Sequence, residues 1–221
     1  FWEQYLEKIP PRYVDQSWLA KLDLRLRDPL AHKLKRMTDL LLAFSGIVLS
    51  LPILLPSLVI IAIDSGFPLF FTQRRTGFMG RPYTLFKLRT MRRNAEEKGA
   101  EWAKEKDNRV TGCGKYLRKW RIDEIPQFLN VIRGEMSIVG PRPERPEFQE
   151  DLIRQVPHWN CRHLVKPGLT GWAQIRYRYA ADADASEEKL AYDLYYIKHA
   201  STLVDLQIIL STLRSIARGS R

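Results

Sequence analysis

The amino-acid sequence predicts an α+β domain that associates with one face of a membrane (monotopic). Its elements would be a proline-bent re-entrant membrane helix, interfacial helices and a small β-hairpin. Three observations predict this class: residues 40–63 carry no charge, a basic and aromatic stretch precedes them, and two aromatic-rich runs follow. With 221 residues, of which 45% are hydrophobic, the chain is long enough to bury the core of one domain.

The N-terminal residues mix aromatic and basic side chains. Trp2, Tyr5, Tyr13 and Trp18 are followed by the run LAKLDLRLRDPLAHKLKR. Aromatic rings favour the level of the lipid headgroups, and lysine stems extend from there to water. We therefore predict an interfacial segment over residues 1–38, with a solvated basic surface as the alternative for each single residue.

Residues 39–64 are predicted to form the re-entrant membrane helix. Pro52 and Pro56 lack the N–H groups that would pair with the carbonyls of Val48 and Pro52, so the middle of the helix is expected to bend. The hydroxyl of Ser50, beside this bend, is available to bond to exposed backbone. The alternatives are an ordinary proline-kinked span and a buried helix of a soluble protein.

Positive charge on both flanks of the apolar segment favours re-entry. Lysine and arginine concentrate on the cytoplasmic side of membrane segments. A single crossing would put one cluster on the opposite side, whereas a helix that enters and returns keeps both clusters in the cytoplasm. The clusters are Lys33, Lys35 and Arg36 before the segment, and Arg74, Arg75 and Arg81 after it.

The remaining residues, 65–221, show no sign of a second globular domain. The runs within FPLFFTQRRTGFMGRPYTLFKLRTM, separated by Gly77 and Gly80, predict the β-hairpin. The charged stretch NAEEKGAEWAKEKDNR predicts an exposed helix or a mobile connection. After Gly134 we expect a short strand and a rigid proline-rich loop, and near the C-terminus two helices divided around residues 199–202.

A further helix is predicted to begin close to Asp123, with Pro126 in its first turn. Apolar residues spaced three and four positions apart form one stripe on this helix, which would be its buried face. The stripe consists of Ile122, Ile125, Phe128, Leu129 and Ile132, and it leaves Asp123, Glu124, Gln127 and Asn130 off the buried face.

The adjacent acids Asp123 and Glu124 are the first candidates for chemistry. At a helix start they would lie beside free N–H groups and the positive end of the helix dipole, where phosphate also binds. Nearby cations would lower the pKa of both carboxyls and keep them ionised, as a nucleophile or a metal ligand requires. Ordinary helix capping remains the alternative. The cations are Lys115, Arg118, Lys119 and Arg121.

The loop GPRP, residues 140–143, holds Arg142 between two prolines. Such rigidity lowers the entropic cost of directing a guanidinium at a phosphate, and a simple turn is the alternative. Other motifs are excluded: GCGKYL lacks the third glycine of a dinucleotide loop, and no GxxxxGK[ST] or GxSxG occurs. The run HWNCRH has no fourth ligand with the spacing of a zinc site.

The composition bounds the partners and the compartment. A net charge of +11 indicates anionic partners, and the apolar segment favours acidic lipid or phosphorylated substrates over nucleic acid. Cys113 and Cys161 form neither a CxxC motif nor a disulfide framework, which favours a reducing, cytoplasmic setting. The sequence begins at Phe1 without a charged n-region and cleavage site, so we expect no secretory signal peptide.

Taken in order, these residues resemble the bacterial sugar transferase family, the monotopic polyprenyl-phosphate sugar-1-phosphate transferases. The matching pieces are KRMTDL, TQRRTGFMGRPYTLFKLRTM, DNRVTGCGKYLRKWRIDEIPQFLNVIRGEMSIVGPRPERPEF and VKPGLTGWAQ, which cover most of residues 35–174. The C-terminal run is similar to that of larger exopolysaccharide or O-antigen initiating members, whose C-terminal catalytic portion this chain would be. Asn108 departs from the family, which commonly has proline there.

By this resemblance, residues 65–221 form a cytoplasmic catalytic region that transfers a sugar 1-phosphate from a UDP-sugar to undecaprenyl phosphate and releases UMP. The family mechanism implies that Asp123 attacks the β-phosphate and forms a covalent intermediate, with Glu124 as a second acid that binds metal or handles a proton. Mg²⁺ would bridge the diphosphate and this acidic pair. The residues that match phosphate-binding and substrate-binding positions of the family are Lys87, Arg118 and Arg142.

The resemblance also implies the cytoplasmic face of the bacterial inner membrane. The positive charge and the apolar segment favour anionic membrane lipids as partners over nucleic acid, and we expect no nucleic-acid partner. The oligomeric state is open, with an interfacial homodimer as one alternative. Family members carry the proline-bent helix that turns back, which strengthens the expectation of re-entry. A hexose such as glucose or galactose is favoured, although no residue pattern separates it from an N-acetylated sugar. A membrane-tethered basic binding module and an aspartyl-phosphate phosphohydrolase are the alternative functions.

Overall fold

The computed structural model describes residues 2–26, 28–95, 107–177 and 183–219. Helices dominate, together with two small sheets, so the predicted α+β class is confirmed. The α-helices are α1 (Trp2–Leu6), α2 (Gln16–Leu26), α3 (Pro29–Ser65), α4 (Gly112–Lys119), α5 (Gln127–Arg133), α6 (Pro146–Gln155), α7 (Trp172–Arg176), α8 (Ala183–His199) and α9 (Thr202–Ala217). The strands are β1 (Phe70–Thr76), β2 (Pro82–Leu88), β3 (Ser137–Val139) and β4 (Gly168–Thr170).

The apolar segment lies within α3, which begins ten residues earlier than the predicted boundary at residue 39. The Asp28 carboxylate caps this helix by accepting hydrogen bonds from the N–H groups of Leu30 (2.9 Å) and Ala31 (3.2 Å), and Pro29 occupies the first turn. The helix is long and apolar enough to cross a membrane, and only 11% of its most apolar window is buried inside the protein. This composition is compatible with membrane association.

Two prolines lie inside α3, and the helix continues through both. Near them Ser50 donates to the carbonyl of Ile47 (2.9 Å) and Ser57 donates to that of Ile53 (2.7 Å). These acceptors differ from the carbonyls of Val48 and Pro52, which the missing proline N–H groups leave without their helical partners. The predicted bend at Ser50, Pro52 and Pro56 therefore stays a prediction.

The N-terminal part of α3, residues 29–46, is the first arm, and it contacts the globular part of the protein. Arg36 donates from Nη1 to the carbonyl of Val131 (2.6 Å) and caps the C-terminus of α5. The Asp39 carboxylate is buried and accepts from the hydroxyl of Ser137 and the N–H of Ile138, both at 3.0 Å. The first arm is therefore fixed to α5 and β3.

The C-terminal part of α3, residues 57–65, is the second arm, and it contacts the same globular part. Ile61 is fully buried and packs in a cluster with Leu88 of β2 and Leu117 of α4. The Asp64 carboxylate accepts from the N–H of Cys113 at 3.3 Å. Between the arms, the apolar side chains Val48, Leu49, Leu51, Ile53 and Leu55 are exposed.

The residues before α3 only partly match the predicted interfacial segment. Trp18 is buried in the main core, because α2 packs one face inward, and Ile9 bonds to the carbonyl of Ala191 in α8 at 2.9 Å. The expectation that Trp18 lies at headgroup level is therefore wrong. Tyr5 and Tyr13 are exposed, so they alone among these aromatic residues with described burial match the predicted pattern.

The β-hairpin is confirmed. β1 and β2 pair antiparallel from Phe70 opposite Leu88 to Thr76 opposite Pro82. Met79 and Gly80 in the connecting turn both have positive φ angles, 53° and 73°. Of the charged stretch after the hairpin, residues 96–106 lie outside the described residues.

The C-terminal half adds the second sheet and two long helices. β3 pairs parallel with β4, and the predicted strand after Gly134 is thereby confirmed, although its partner was not anticipated. The two predicted C-terminal helices are also confirmed, because α8 ends at His199 and the Ser201 hydroxyl caps α9. Asp205 of α9 bonds to Tyr196 of α8 (2.8 Å) and Lys35 of α3 (2.7 Å), which ties the three helices together.

Helix α5 is buried on two sides, and the predicted stripe is therefore wrong in part. Its apolar side meets α3, where Phe128 packs against Gly46, while Leu129 is 46% exposed. On the other side the Asn130 amide is fully buried against the outer edge of β2. It accepts from the N–H of Phe86 (3.1 Å) and donates to the carbonyl of Thr84 (2.7 Å). Gln127 is buried as well.

We expect Asn130→Leu to destabilise the protein by about 3 kcal/mol, because two edge groups of β2 and the carboxylate of Glu135 would each lose a partner. Chemical unfolding of the purified protein measures this change. Asn160→Leu is the matched control, because Asn160 is exposed and its replacement should leave stability nearly unchanged. Equal stability of the two variants would contradict the role given to Asn130.

Candidate active site

The two adjacent acids lie in a 3₁₀ turn, Ile122–Glu124, between α4 and α5. They do not occupy the start of α5 as predicted, because Pro126 is the N-cap of that helix and α5 begins at Gln127. Arg121, immediately before the turn, has a left-handed φ of 53°, which redirects the chain after α4. Asp123 and Glu124 are 5% and 8% exposed, so both carboxylates lie in the protein and not on an outer helix face.

Glu124 is surrounded by cations from three segments. Its Oε1 lies 3.1 Å from Nζ of Lys87 in β2 and 2.8 Å from Nη2 of Arg142 in the GPRP loop. Its Oε2 lies 4.0 Å from Nη1 of Arg121. Burial alone would raise the pKa of Glu124, but the charges of Arg142 and Lys87 outweigh it and hold that pKa well below its usual range. Glu124 is therefore ionised at neutral pH.

The same contacts act on the cations. The Glu124 carboxylate raises the pKa of Arg142 above its ordinary value, with a smaller contribution from Asp123. Burial lowers the pKa of Lys87, and the charges of Glu124 and Asp123 oppose that shift. The predicted residues Asp123, Glu124, Lys87 and Arg142 thus form one electrostatic cluster.

Gln174 was not singled out from the sequence, although it ends the quoted motif VKPGLTGWAQ. Its Oε1 accepts a hydrogen bond from Nη1 of Arg142 at 3.3 Å, so Gln174 and Glu124 hold the two ends of one guanidinium. Its position at the end of that motif, which contains Gly168 and Gly171, is the sequence signal that marks it. Gln174 therefore belongs to the candidate site.

Arg118 lies in the last turn of α4. Its Nε donates to the hydroxyl of Thr90 at 2.8 Å, just beyond the end of β2. This contact holds the Arg118 side chain at Thr90, three residues after Lys87 in the chain. The predicted phosphate-binding role of Arg118 stays a prediction.

The GPRP loop is packed tightly against the turn that joins β4 to α7. Gly140 donates to the carbonyl of Thr170 and Gly168 donates to that of Pro141, both at 2.9 Å. A Cβ built on Gly171 would lie 2.2 Å from the carbonyl oxygen of Gly140, closer than any real contact. Only glycine therefore allows the loop to keep its place.

Gly171→Ala should displace the GPRP loop and destabilise the protein by about 2 kcal/mol, because the new methyl group overlaps backbone. Thermal unfolding measures the loss. Gly112→Ala is the matched control, since a Cβ there lies 3.6 Å from the Asp64 carboxylate in ordinary contact. Unchanged unfolding of the Gly171→Ala protein would show that the loop is not confined in this way.

The acidic pair offers oxygen ligands of the kind that Mg²⁺ prefers. Among the described residues there is no cluster of three or more acidic, histidine or cysteine side chains that would hold a metal on its own. Magnesium usually binds through one or two carboxylates together with substrate phosphates, so two acids are sufficient. Because Lys87 and Arg142 already neutralise Glu124, a divalent cation fits best when a diphosphate brings further negative charge. The residues present thus fit a metal that arrives with its substrate.

The HWNCRH segment is explained by packing. Burial lowers the pKa of His163 to about 4, so the ring is neutral at pH 7, and its Nε2 lies 3.3 Å from Oε1 of Gln149. Burial also raises the pKa of the Cys161 thiol. Both side chains therefore fill the core side of this segment and offer no activated nucleophile.

Comparisons with known proteins identify the family of the chain. A family model for the bacterial sugar transferases matches residues 30–219. The chain is 43% identical over 206 residues to the UDP-N-acetylgalactosamine-undecaprenyl-phosphate N-acetylgalactosaminephosphotransferase of Aeromonas hydrophila, covering 93% of this chain and 49% of the relative.

Two glucose-1-phosphate transferases are also similar. The chain is 38% identical over 182 residues to the UDP-glucose:undecaprenyl-phosphate glucose-1-phosphate transferase of Escherichia coli (strain K12), covering 81% of this chain and 39% of the relative. It is 38% identical over 184 residues to the enzyme of that name from Caulobacter vibrioides, covering 82% of this chain and 69% of the relative.

The chain therefore spans about half the length of the Aeromonas relative and less of the Escherichia one. The names of these relatives include both N-acetylgalactosamine and glucose, so the hexose expected from the sequence stays a prediction. Because the family model matches residues 30–219 and the Caulobacter relative is covered over more than two thirds of its length, the chain belongs to the bacterial sugar transferase family.

Proposed function

We propose that this chain transfers a sugar 1-phosphate from a UDP-sugar to undecaprenyl phosphate and releases UMP. The observation that carries the proposal is the buried turn holding Asp123 and Glu124, with Lys87 and Arg142 directed at it. The relatives named for this reaction support the substrate class.

In the first step a carboxylate oxygen of Asp123 attacks the β-phosphorus of the UDP-sugar. A bond forms between that oxygen and phosphorus, the bond from phosphorus to the bridging oxygen breaks, and UMP leaves with the electron pair. The sugar phosphate is then attached to Asp123 as an acyl phosphate. The resemblance to the family gives Asp123 this role, and Glu124, which pairs with Lys87 and Arg142, is the second acid.

In the second step an oxygen of undecaprenyl phosphate attacks the same phosphorus and displaces the Asp123 carboxylate. The product is undecaprenyl diphosphate sugar, and the ionised acid is restored. Arg142 and Lys87 stabilise the negative charge that develops on the phosphoryl oxygens in both steps. Bound Mg²⁺, held by Asp123 and Glu124 with the diphosphate, would supply charge neutralisation at the leaving UMP.

The acceptor determines where the site must lie. The phosphate of undecaprenyl phosphate is confined to the headgroup plane, so a catalytic turn in bulk solvent would meet it rarely. The exposed apolar surface of helix α3 supports a location at this plane, and we propose that the protein lies on the cytoplasmic face of the bacterial inner membrane. The net charge of +11 supports contact with anionic lipids there.

We also propose that α3 re-enters the membrane. Both arms contact one globular body, through Asp39 and β3 on one side and through Ile61 and α4 on the other. A complete crossing would carry the second arm to the far side of the bilayer, away from that body. The exposed apolar side chains between the arms would then form the tip of the bend inside the membrane; they are Val48, Leu49, Leu51, Ile53 and Leu55.

Single cysteines at Lys33 and Arg81, in a protein whose Cys113 and Cys161 are replaced by serine, test this topology. Re-entry predicts that an impermeant thiol reagent labels both positions from the cytoplasmic face of inverted vesicles. Labelling of the two positions from opposite faces would establish a span. Pro52→Ala with Pro56→Ala should straighten the helix and increase the share of labelling from opposite faces.

The activity itself is tested by UMP release from UDP-N-acetylgalactosamine, UDP-glucose and UDP-galactose, each with and without undecaprenyl phosphate. The proposal predicts continued turnover only with the lipid acceptor, and the preferred sugar identifies the substrate. Multiple turnover to free sugar phosphate without the lipid would instead establish a phosphohydrolase.

A further inference from the structure

A buried ionic cluster contacts the backbone of the GPRP loop. Arg162 is 2% exposed and Asp193 of α8 is 1% exposed, and Nη2 of Arg162 lies 2.7 Å from Oδ2 of Asp193. The guanidinium also stacks over the ring of Trp159, with 4.3 Å to the centroid.

The cluster holds the backbone of the loop. Nη2 of Arg162 donates to the carbonyl of Arg142 at 2.9 Å. Nη1 of Arg75 donates to the carbonyl of Pro143 at 3.1 Å, and the N–H of Thr76 donates to the carbonyl of Glu144 at 3.0 Å. Residues 142–144 have no regular secondary structure, and each of their three carbonyls accepts a hydrogen bond from another part of the chain.

The side chain of Glu144 joins the loop to the same cluster. It pairs with Lys189 of α8 and lies 3.7 Å from Nη1 of Arg162. Burial opposes ionisation of this acid, but the charges of Lys189 and Arg162 prevail and lower the pKa of Glu144 to about 2. The loop is therefore anchored by charge at its end as well as by its carbonyls.

Stability alone does not explain buried charges here. Replacing a buried ion pair with apolar side chains of similar volume is often neutral or stabilising, because desolvation offsets much of the attraction. The ion pair also fixes the position of Arg142. Arg162 binds the backbone carbonyl of Arg142, and the guanidinium of Arg142 contacts Glu124 and Gln174.

We infer that Arg162 and Asp193 are positioning residues for the transfer reaction, acting through the backbone of Arg142. This inference rests on the proposed function and assigns a role in it to α8. Asp193 orients the Arg162 fork, Arg162 fixes the Arg142 carbonyl, and the Arg142 side chain is thereby held where the diphosphate binds.

A double-mutant cycle tests the inference through kcat/KM for Arg162→Lys, Arg142→Ala and the pair. A lysine retains the charge but cannot bridge Asp193 and the loop carbonyl, so Arg162→Lys alone should lower kcat/KM by about 10-fold to 100-fold. In the Arg142→Ala background the same change should have less than about a twofold effect. Equal losses in both backgrounds would overturn the inference. Arg154→Lys, an exposed arginine on α6, is the control.

Hydrogen exchange without substrate tests the same inference independently of activity. Arg162→Lys should accelerate exchange of the Thr76 amide, which is bound to the loop carbonyl of Glu144, and leave the amides of α5 unchanged. Unchanged exchange at Thr76, or equal acceleration throughout α5, would overturn the positioning role. If Arg162→Lys does not fold, Asp193→Asn provides the same two measurements. A wild-type chain without transferase activity would refute the proposed function. The exchange result would still show whether Arg162 fixes the backbone of the loop.

Discussion

Asp123→Asn should lower kcat by a factor on the order of 10⁴ or more, while the protein unfolds at nearly the wild-type temperature. The amide has almost the size of the carboxylate but is not a competent nucleophile towards phosphorus. It also removes one negative charge from a turn that Lys87 and Arg142 face. UMP release at saturating UDP-sugar and undecaprenyl phosphate measures the loss.

Asp151→Asn is the matched control, because Asp151 is an exposed acid on α6 and its replacement should leave kcat within about twofold of wild type. Binding of the UDP-sugar to the Asp123→Asn protein should persist, since Lys87 and Arg142 remain. An Asp123→Asn protein with wild-type turnover would remove Asp123 from the mechanism.

Arg142→Ala is expected to lower kcat/KM by about 10²-fold to 10³-fold, the usual consequence of losing one charged donor at a developing phosphoryl charge. The kcat/KM of Arg142→Lys should lie between those of Arg142→Ala and the wild type, because a lysine keeps the charge but cannot contact Glu124 and Gln174 at once. Steady-state assays of both variants and the wild type measure the order of their kcat/KM values. Arg154→Ala, which removes an exposed arginine, should behave as wild type.

The pH dependence of Arg142→Ala adds a second readout. Arg142 is the largest of the charges that lower the pKa of Glu124, so its removal should raise that pKa towards its ordinary value. Protonation of Glu124 would then begin at a higher pH, and the acidic limb of the pH–activity profile should shift to higher pH. An acidic limb at the wild-type position would show that Glu124 ionisation does not control activity.

The elements with strong local signals were predictable from the sequence. The β-hairpin followed from two aromatic-rich runs separated by Gly77 and Gly80, and the division of α8 from α9 followed from the break near Ser201. The start of α3 was missed, because the charged residues before residue 39 conceal a capped helix that begins at Pro29.

Contacts between distant segments were not predictable. The stripe on α5 assumed one buried face, whereas Asn130 is buried because β2 covers the other side. Asp123, Glu124, Lys87 and Arg142 were named from motifs, but Gln174 and Arg162 contact Arg142 from positions 32 and 20 residues away in sequence. No local pattern encodes such pairings.

The central claim is the covalent intermediate on Asp123, and one measurement tests it most directly. The purified protein is incubated with Mg²⁺ and the UDP-sugar that supports turnover, without undecaprenyl phosphate, and the tryptic peptide 122–133 is weighed by mass spectrometry. We predict one added sugar phosphate on Asp123, about one UMP released per protein molecule, and loss of the adduct when undecaprenyl phosphate is added. An unmodified peptide, together with UMP release only in the presence of the lipid, would contradict the account and indicate direct transfer.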